Sequence, residues 1–145
     1  MTPGEAIQIF DYAGVVVFAL SGALAAARSR LDPFGFVVIG VVTGVGGGSM
    51  RDVLLDSGPV FWIADPGYLV AATAAALAGW FLAPKLESRI RTLIWCDAVG
   101  LALFAVLGAQ KALSVGASPS VAVVMGVMSA TFGGLLRDVI CNELP

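Results

Sequence analysis

The sequence contains no histidine, only 12% charged residues and no run of basic side chains. Each scarcity excludes a class of function. Without histidine, and with no Ser or Cys beside a plausible base, nucleophilic and acid–base catalysis lack their usual machinery, so an enzyme is not expected. A net charge of −2 with no basic cluster argues against a nucleic-acid partner and against a polybasic lipid tether as the main business. The two cysteines, Cys96 and Cys141, lack CxxC spacing and read as small buried hydrophobes. No basic region precedes the first apolar run, so no cleaved signal peptide is expected. Gly44-Val45-Gly46-Gly47-Gly48-Ser49 lacks the last glycine of a dinucleotide fingerprint and the lysine of a P-loop. No cofactor or metal is expected.

What is abundant is apolar. The chain is 59% hydrophobic with a mean hydropathy of +0.95, whereas soluble domains carry about 25% charged residues. An all-α integral membrane protein follows, because charge-poor runs without strict alternation favour helices over a membrane barrel. Five spans are predicted: Ile7 to Ala27, Phe34 to Met50, Tyr68 to Ala83, Leu93 to Ala109 and Val121 to Leu136. Val60 to Ala64, with Trp62, reads as a short interfacial turn. Arg28, Arg30, Lys85, Arg89 and Arg91 fall in loops on one side, with only Lys111 on the other. The positive-inside rule therefore places the N-terminus outside.

The stretch VVTGVGGGSMRDVLLD, Val41 to Asp56, recurs later in the chain. With an offset of 86 residues, Asp11 falls on Asp97, Gly14 on Gly100, Phe18 on Phe104, Pro33 on Pro119 and Arg51 on Arg137. Of the 46 positions from Asp11 to Asp56, 17 match identically, where this composition would give roughly five by chance. The repeat is real. Three spans separate its copies, an odd number, so the second copy should be inverted about an axis in the membrane plane. Residues 1–86 then form the first three-helix repeat and 87–145 the first two helices of the second. The third span lacks a partner, which would start near residue 154, and the expectation is a shortened form of a longer protein.

Three adjacent glycines weaken a helix by roughly 1 kcal/mol each relative to alanine. Gly46, Gly47 and Gly48, with Gly133 and Gly134 in the second copy, are therefore predicted to break or kink their helices. Carbonyls freed there could replace a cation's hydration shell, with the hydroxyls of Thr43, Ser49, Ser129 and Thr131 nearby. Two facing breaks would suit an ion or small-solute pathway. The competing reading is packing, since Gly40, Gly44 and Gly48, and Ala122, Gly126, Ala130 and Gly134, recur every four residues. It is weighed evenly for Gly40 and Gly44, whereas the triple glycine favours the pathway.

Charges within spans point to function by default. Arg51 and Asp52, like Arg137 and Asp138, are adjacent and point about 100° apart, poor geometry for mutual pairing. A cross-repeat network is expected instead, in which Arg51 and Arg137 meet Asp97 and Asp11 or the carbonyls freed by the glycine breaks, with helix capping the alternative for the two aspartates. Lys111 is a snorkelling anchor or a gate.

The motifs Gly46-Gly47-Gly48-Ser49-Met50-Arg51-Asp52 and Phe132-Gly133-Gly134-Leu135-Leu136-Arg137-Asp138, together with Asp11-Tyr12-Ala13-Gly14 and Gly108-Ala109-Gln110-Lys111-Ala112, resemble the prokaryotic trimeric intracellular cation (TRIC) channels. The resemblance covers nearly the whole chain. It implies a homotrimer of seven-helix subunits in the bacterial cytoplasmic membrane, each subunit with its own pore for monovalent cations, chiefly potassium, lined by the glycine-rich second and fifth helices. Relative to that pattern two helices are absent, and Phe132 replaces the first glycine of the second motif. A bound lipid at Lys111 is a further implication. Secondary transport of a small zwitterion such as glycine is the alternative function, and a membrane scaffold the third.

Overall fold

Helix boundaries follow local chemistry. In the computed structural model, which describes residues 1–86 and 88–143, α1 (Pro3–Arg28) opens with a capping box: the Thr2 side chain accepts from the Glu5 amide and the Glu5 carboxylate accepts from the Thr2 amide. Asp32 caps α2 (Pro33–Leu55) through Gly35, and both helices carry proline at their first position. The turn α3 (Phe61–Ala64) and α4 (Gly67–Leu82) follow. Ser88 caps α5 (Arg89–Ser114), and α6 (Pro119–Ile140) again starts with proline. Five helices, α4 taken with its continuation to Lys85, are long and apolar enough to cross a membrane.

Consecutive long helices run antiparallel. A methyl at Gly40 would lie 3.1 Å from the Ala19 carbonyl oxygen and one at Gly44 2.9 Å from that of Val15, so α2 descends along α1 as α1 rises. Gly14 faces Phe104 and Gly100 faces Phe18 across the α1–α5 contact, where the two phenyl rings stack with centroids 5.4 Å apart. Gly126 approaches the Ala105 carbonyl oxygen as Gly40 approaches that of Ala19. The counterpart pairs thus make counterpart contacts. Even the bends correspond: Arg30 and Gly116 are both left-handed (φ 55° and 87°), as are Asp56 and Asn142 (φ 47° and 55°).

The core between α1, α2, α4, α5 and α6 is built from Val15, Phe18, Ala72, Phe104 and Leu107. Valines such as Val53, Val70, Val106 and Val123 stay two-thirds exposed on the outside, the surface that acyl chains would cover.

The expected helix breaks are absent. α2 is continuous through Gly46, Gly47 and Gly48, and α6 through Gly133 and Gly134. The propensity cost of the glycines is met by what their missing side chains allow, which is close approach of two backbones.

Candidate functional site

That approach occurs where α2 crosses α6. A side chain at Gly47 would collide with the Ser129 carbonyl, and one at Gly133 with the Thr43 carbonyl. The contact is reciprocal, because Thr43 corresponds to Ser129 and Gly47 to Gly133. A methyl at Gly46 would lie 3.0 Å from Leu136 Cδ1, one at Gly48 would meet the Phe61 ring, and Gly134 is comparatively open. Thr43 and Ser129 are fully buried. Hydroxyls of Thr43, Ser49 and Thr131 donate to their own helix at Ile39, Val45 and Val127. The Ser129 hydroxyl alone among these four is buried without a partner.

Each end of the crossing carries an arginine cluster. Arg51 and Arg137 lie six residues beyond the crossing in opposite directions, hence about 18 Å apart along the bundle. At one end Arg51 donates from Nε to Asp52 Oδ1 at 2.8 Å, and its Nη1 lies 3.7 Å from Asp11 Oδ1. Asp52 Oδ2 accepts from the Phe61 amide at 2.9 Å, and the guanidinium sits 5.7 Å from the Phe61 ring centre. At the other end Arg137 Nη1 contacts both oxygens of Asp97, at 2.6 and 2.8 Å, and the Ser21 hydroxyl at 3.2 Å, while Nε donates to Asp138 at 2.8 Å.

Two expectations about these charges need correction. Adjacent Arg and Asp do pair, because the three-methylene arginine stem folds around the helix and presents Nε sideways. The Arg–Asp bridges also form within each copy, Arg51 with Asp11 and Arg137 with Asp97, since α1 with α2 and α5 with α6 are the antiparallel neighbours. Asp11 and Asp97 are not caps. Each is the ninth residue of its helix, and Thr2 and Ser88 hold the cap positions.

A cavity of about 290 Å³ opens at the Asp11 end, lined by Asp11, Arg51, Phe61, Gln110 and Lys111 among others. One of about 480 Å³ opens at the Asp97 end, lined by Asp97, Thr131, Gly134, Arg137 and Asp138 with apolar neighbours. Sequence reasoning missed the aromatic cover at the Asp11 end. Tyr12 stacks on Tyr68 with centroids 4.0 Å apart and donates to Asp65 at 2.7 Å, Phe61 packs edge-on to Tyr68, and Trp62 donates to the Ser49 hydroxyl at 2.8 Å. The only signal was the Val60–Ala64 turn between two proline breaks. Among the described residues no group of three or more His, Cys, Asp or Glu could hold a metal ion.

The chain matches the family model described as "Glycine transporter" over residues 8–84 and 94–145. It is 48% identical to the TRIC trimeric intracellular cation channel orthologue from Rhodobacter sphaeroides, with a TM-score of 0.94 over 97% of this chain and 72% of that one. A prokaryotic TRIC channel crystallised in 0.5 M KCl is 31% identical, with a TM-score of 0.92 over 97% and 73%. The inner membrane protein YadS of Escherichia coli K12 is 46% identical over 136 residues, and the chain spans 66% of its length. These relatives are membrane proteins and channels rather than enzymes.

Proposed function

From the premise that the chain belongs to the glycine-transporter family, whose solved relatives include prokaryotic TRIC channels, we propose that it is the subunit of a monovalent-cation channel with potassium as the chief permeant ion. The route runs from the Asp11 cavity to the Asp97 cavity between α2 and α6. The observation that carries this reading is the reciprocal crossing at Gly47 and Gly133, joined at each end to a buried arginine–aspartate cluster. Clusters of this kind are costly in a membrane and mark solute routes.

In this arrangement the crossing is shut. Opening requires α2 and α6 to part, which would uncover the Thr43 and Ser129 carbonyls and the unpartnered Ser129 hydroxyl as oxygen ligands for a dehydrating cation. Ser49 and Thr131 stand toward the two mouths, and Arg51, Asp52, Arg137 and Asp138 set the field there. Residues 1–86 and 87–145 act as inverted halves, as the reciprocal contacts suggest. The working assembly is a homotrimer in the bacterial cytoplasmic membrane, with the N-terminus outside and lipid at its surface, Lys111 included.

Single-channel recording of the purified natural protein in planar bilayers under a potassium chloride gradient tests this. The reversal potential should approach that of potassium, and Gly47→Ala should alter the currents. Silence from folded trimers would remove the channel reading. Zwitterion transport is then the alternative, since the Asp11 cavity is lined by charges of both signs, Asp11 with Arg51 and Lys111.

A further inference from the structure

We propose, resting on the channel reading in which opening parts α2 from α6, that the Phe61 ring is a wedge holding α2 against α6. Withdrawal of α3 is then the step that opens the Asp11 end of the crossing.

The direction of each α2 residue decides this. Gly46 and Gly47 face α6, where added methyls would meet Leu136 and the Ser129 carbonyl. At about 100° per residue, Gly48 points about 150° away from their mean direction, on the side of α2 turned from α6. Asp52, four residues on, shares that face. Toward the middle of the helix this back is covered by α1, since a methyl at Gly44 would lie 2.9 Å from the Val15 carbonyl oxygen. Beyond Gly47 the backing passes to α3. A methyl at Gly48 would lie 2.5 Å from Phe61 Cε1, so the ring fills the notch that the missing side chain leaves. Asp52 Oδ2 accepts from the Phe61 amide at 2.9 Å, and Ser49, on the flank, accepts from Trp62 Nε1 at 2.8 Å.

The ring is itself braced from behind. Phe61 packs edge-on to Tyr68 of α4 with centroids 4.8 Å apart, and Tyr68 stacks on Tyr12 of α1 at 4.0 Å. The Tyr12 hydroxyl donates to Asp65, the residue that ends α3, at 2.7 Å. Three rings thus stand between Gly48 and α1, and Tyr68 among them is buried. Packed side chains of this kind yield little. While Phe61 is seated, this end of α2 has no space in which to retreat from α6.

α3 is made to leave where a long helix is not. It has four residues, none of them buried, with Ile63 and Ala64 exposed. Its hold on α2 is two hydrogen bonds and one ring, and segments with so few buried contacts open at low free energy. The second copy supplies the contrast. Gly134, the counterpart of Gly48, would offer a methyl only the Arg137 guanidinium, at 3.7 Å. Among the described residues, a ring behind the crossing is found at the Asp11 end alone.

Two readouts on the natural protein test the wedge. One is the open-to-closed ratio in planar bilayers. The other is the rate at which a small methanethiosulfonate reagent labels Ser129→Cys in nanodiscs, with Cys96 and Cys141 replaced by serine. Phe61→Ala removes contacts made only in the shut arrangement, so it should raise both by about tenfold or more without changing the reversal potential. Phe61→Leu keeps an apolar body in the notch and should fall between, and it decides the matter if Phe61→Ala does not fold. Phe104→Leu, a similar loss from the α1–α5 ring stack, should change neither readout. Labelling unchanged in the folded position-61 variants, or raised equally by Phe104→Leu, would overturn the wedge. The two proposals separate cleanly. Potassium currents indifferent to position 61 sink the wedge and keep the channel, whereas faster labelling of a protein that passes no current keeps the wedge and removes the channel.

Discussion

Asp97 and Asp11 occupy equivalent positions but hold their arginines unequally. Arg137 makes two short contacts to Asp97, at 2.6 and 2.8 Å, whereas Arg51 stands 3.7 Å from Asp11 and leans on Asp52 and Phe61. Losing Asp97 takes both short contacts from the buried Arg137 guanidinium and leaves it only Asp138 and Ser21, so Asp97→Asn should destabilise the protein by about 3 kcal/mol. Asp11→Asn should cost only about 1 kcal/mol. Thermal melts of the two variants in the same detergent check the order, and equal losses would contradict it. The glycines divide in the same way. Gly47→Ala drives a methyl into the rigid Ser129 carbonyl and should cost about 3 kcal/mol. Gly46→Ala places its methyl 3.0 Å from the movable end of Leu136 and in ordinary contact with Gly133 Cα at 3.5 Å, and should fall within about 1 kcal/mol of the parent, because alanine favours the helix. The identities of the charged residues were legible in the sequence, since charges in apolar spans stand out. Their partners were not, because pairing depends on which helices touch and on how an arginine stem folds.

At the scale of elements, the spans and the repeat were readable from charge-free runs and from the 86-residue offset. The predicted break in α2 was not found, and the reason is instructive. Helix propensity is local, whereas the benefit of Gly47 comes from a backbone on α6 more than eighty residues away. The small-residue spacing of Gly40, Gly44 and Gly48 did contain that message, but it does not say which helix fills the groove. α3 was legible only as a turn between prolines, and its role as a cover emerges from Asp52 holding the Phe61 amide and Ser49 holding Trp62. Trp62→Phe removes the second of these bonds while keeping an aromatic body. It should loosen the cover by about 1 kcal/mol, seen as several-fold faster amide hydrogen exchange over residues 60–65 with α2 unchanged. Unaltered exchange would mean that the Asp52 contact alone seats the turn.

For the whole molecule, alternation of the five long helices assigns every loop to one of two ends. Arg28, Arg30, Lys85, Arg89 and Arg91 gather at the end that carries Asp97 and Arg137, where Arg28 also meets Glu143 at 3.3 Å. The Asp11 end has Asp56 and Asp65 in its loops and Lys111 in the last turn of α5. Basic loops remain in the cytoplasm because their translocation is disfavoured. The Asp97 cavity should therefore open inward, and the mixed-charge Asp11 cavity outward, where it would meet solutes before they enter the cell. Single cysteines introduced at Thr2 and at Leu31, in a background with Cys96 and Cys141 replaced by serine, report the two ends, since both positions are exposed. An impermeant maleimide applied to intact spheroplasts should label Thr2→Cys at once and Leu31→Cys only after permeabilisation. The opposite pattern would invert the subunit and turn the Asp11 cavity toward the cytoplasm. Labelling of both from outside would mean that the chain inserts in two orientations, as its modest charge bias of five basic residues against one could permit.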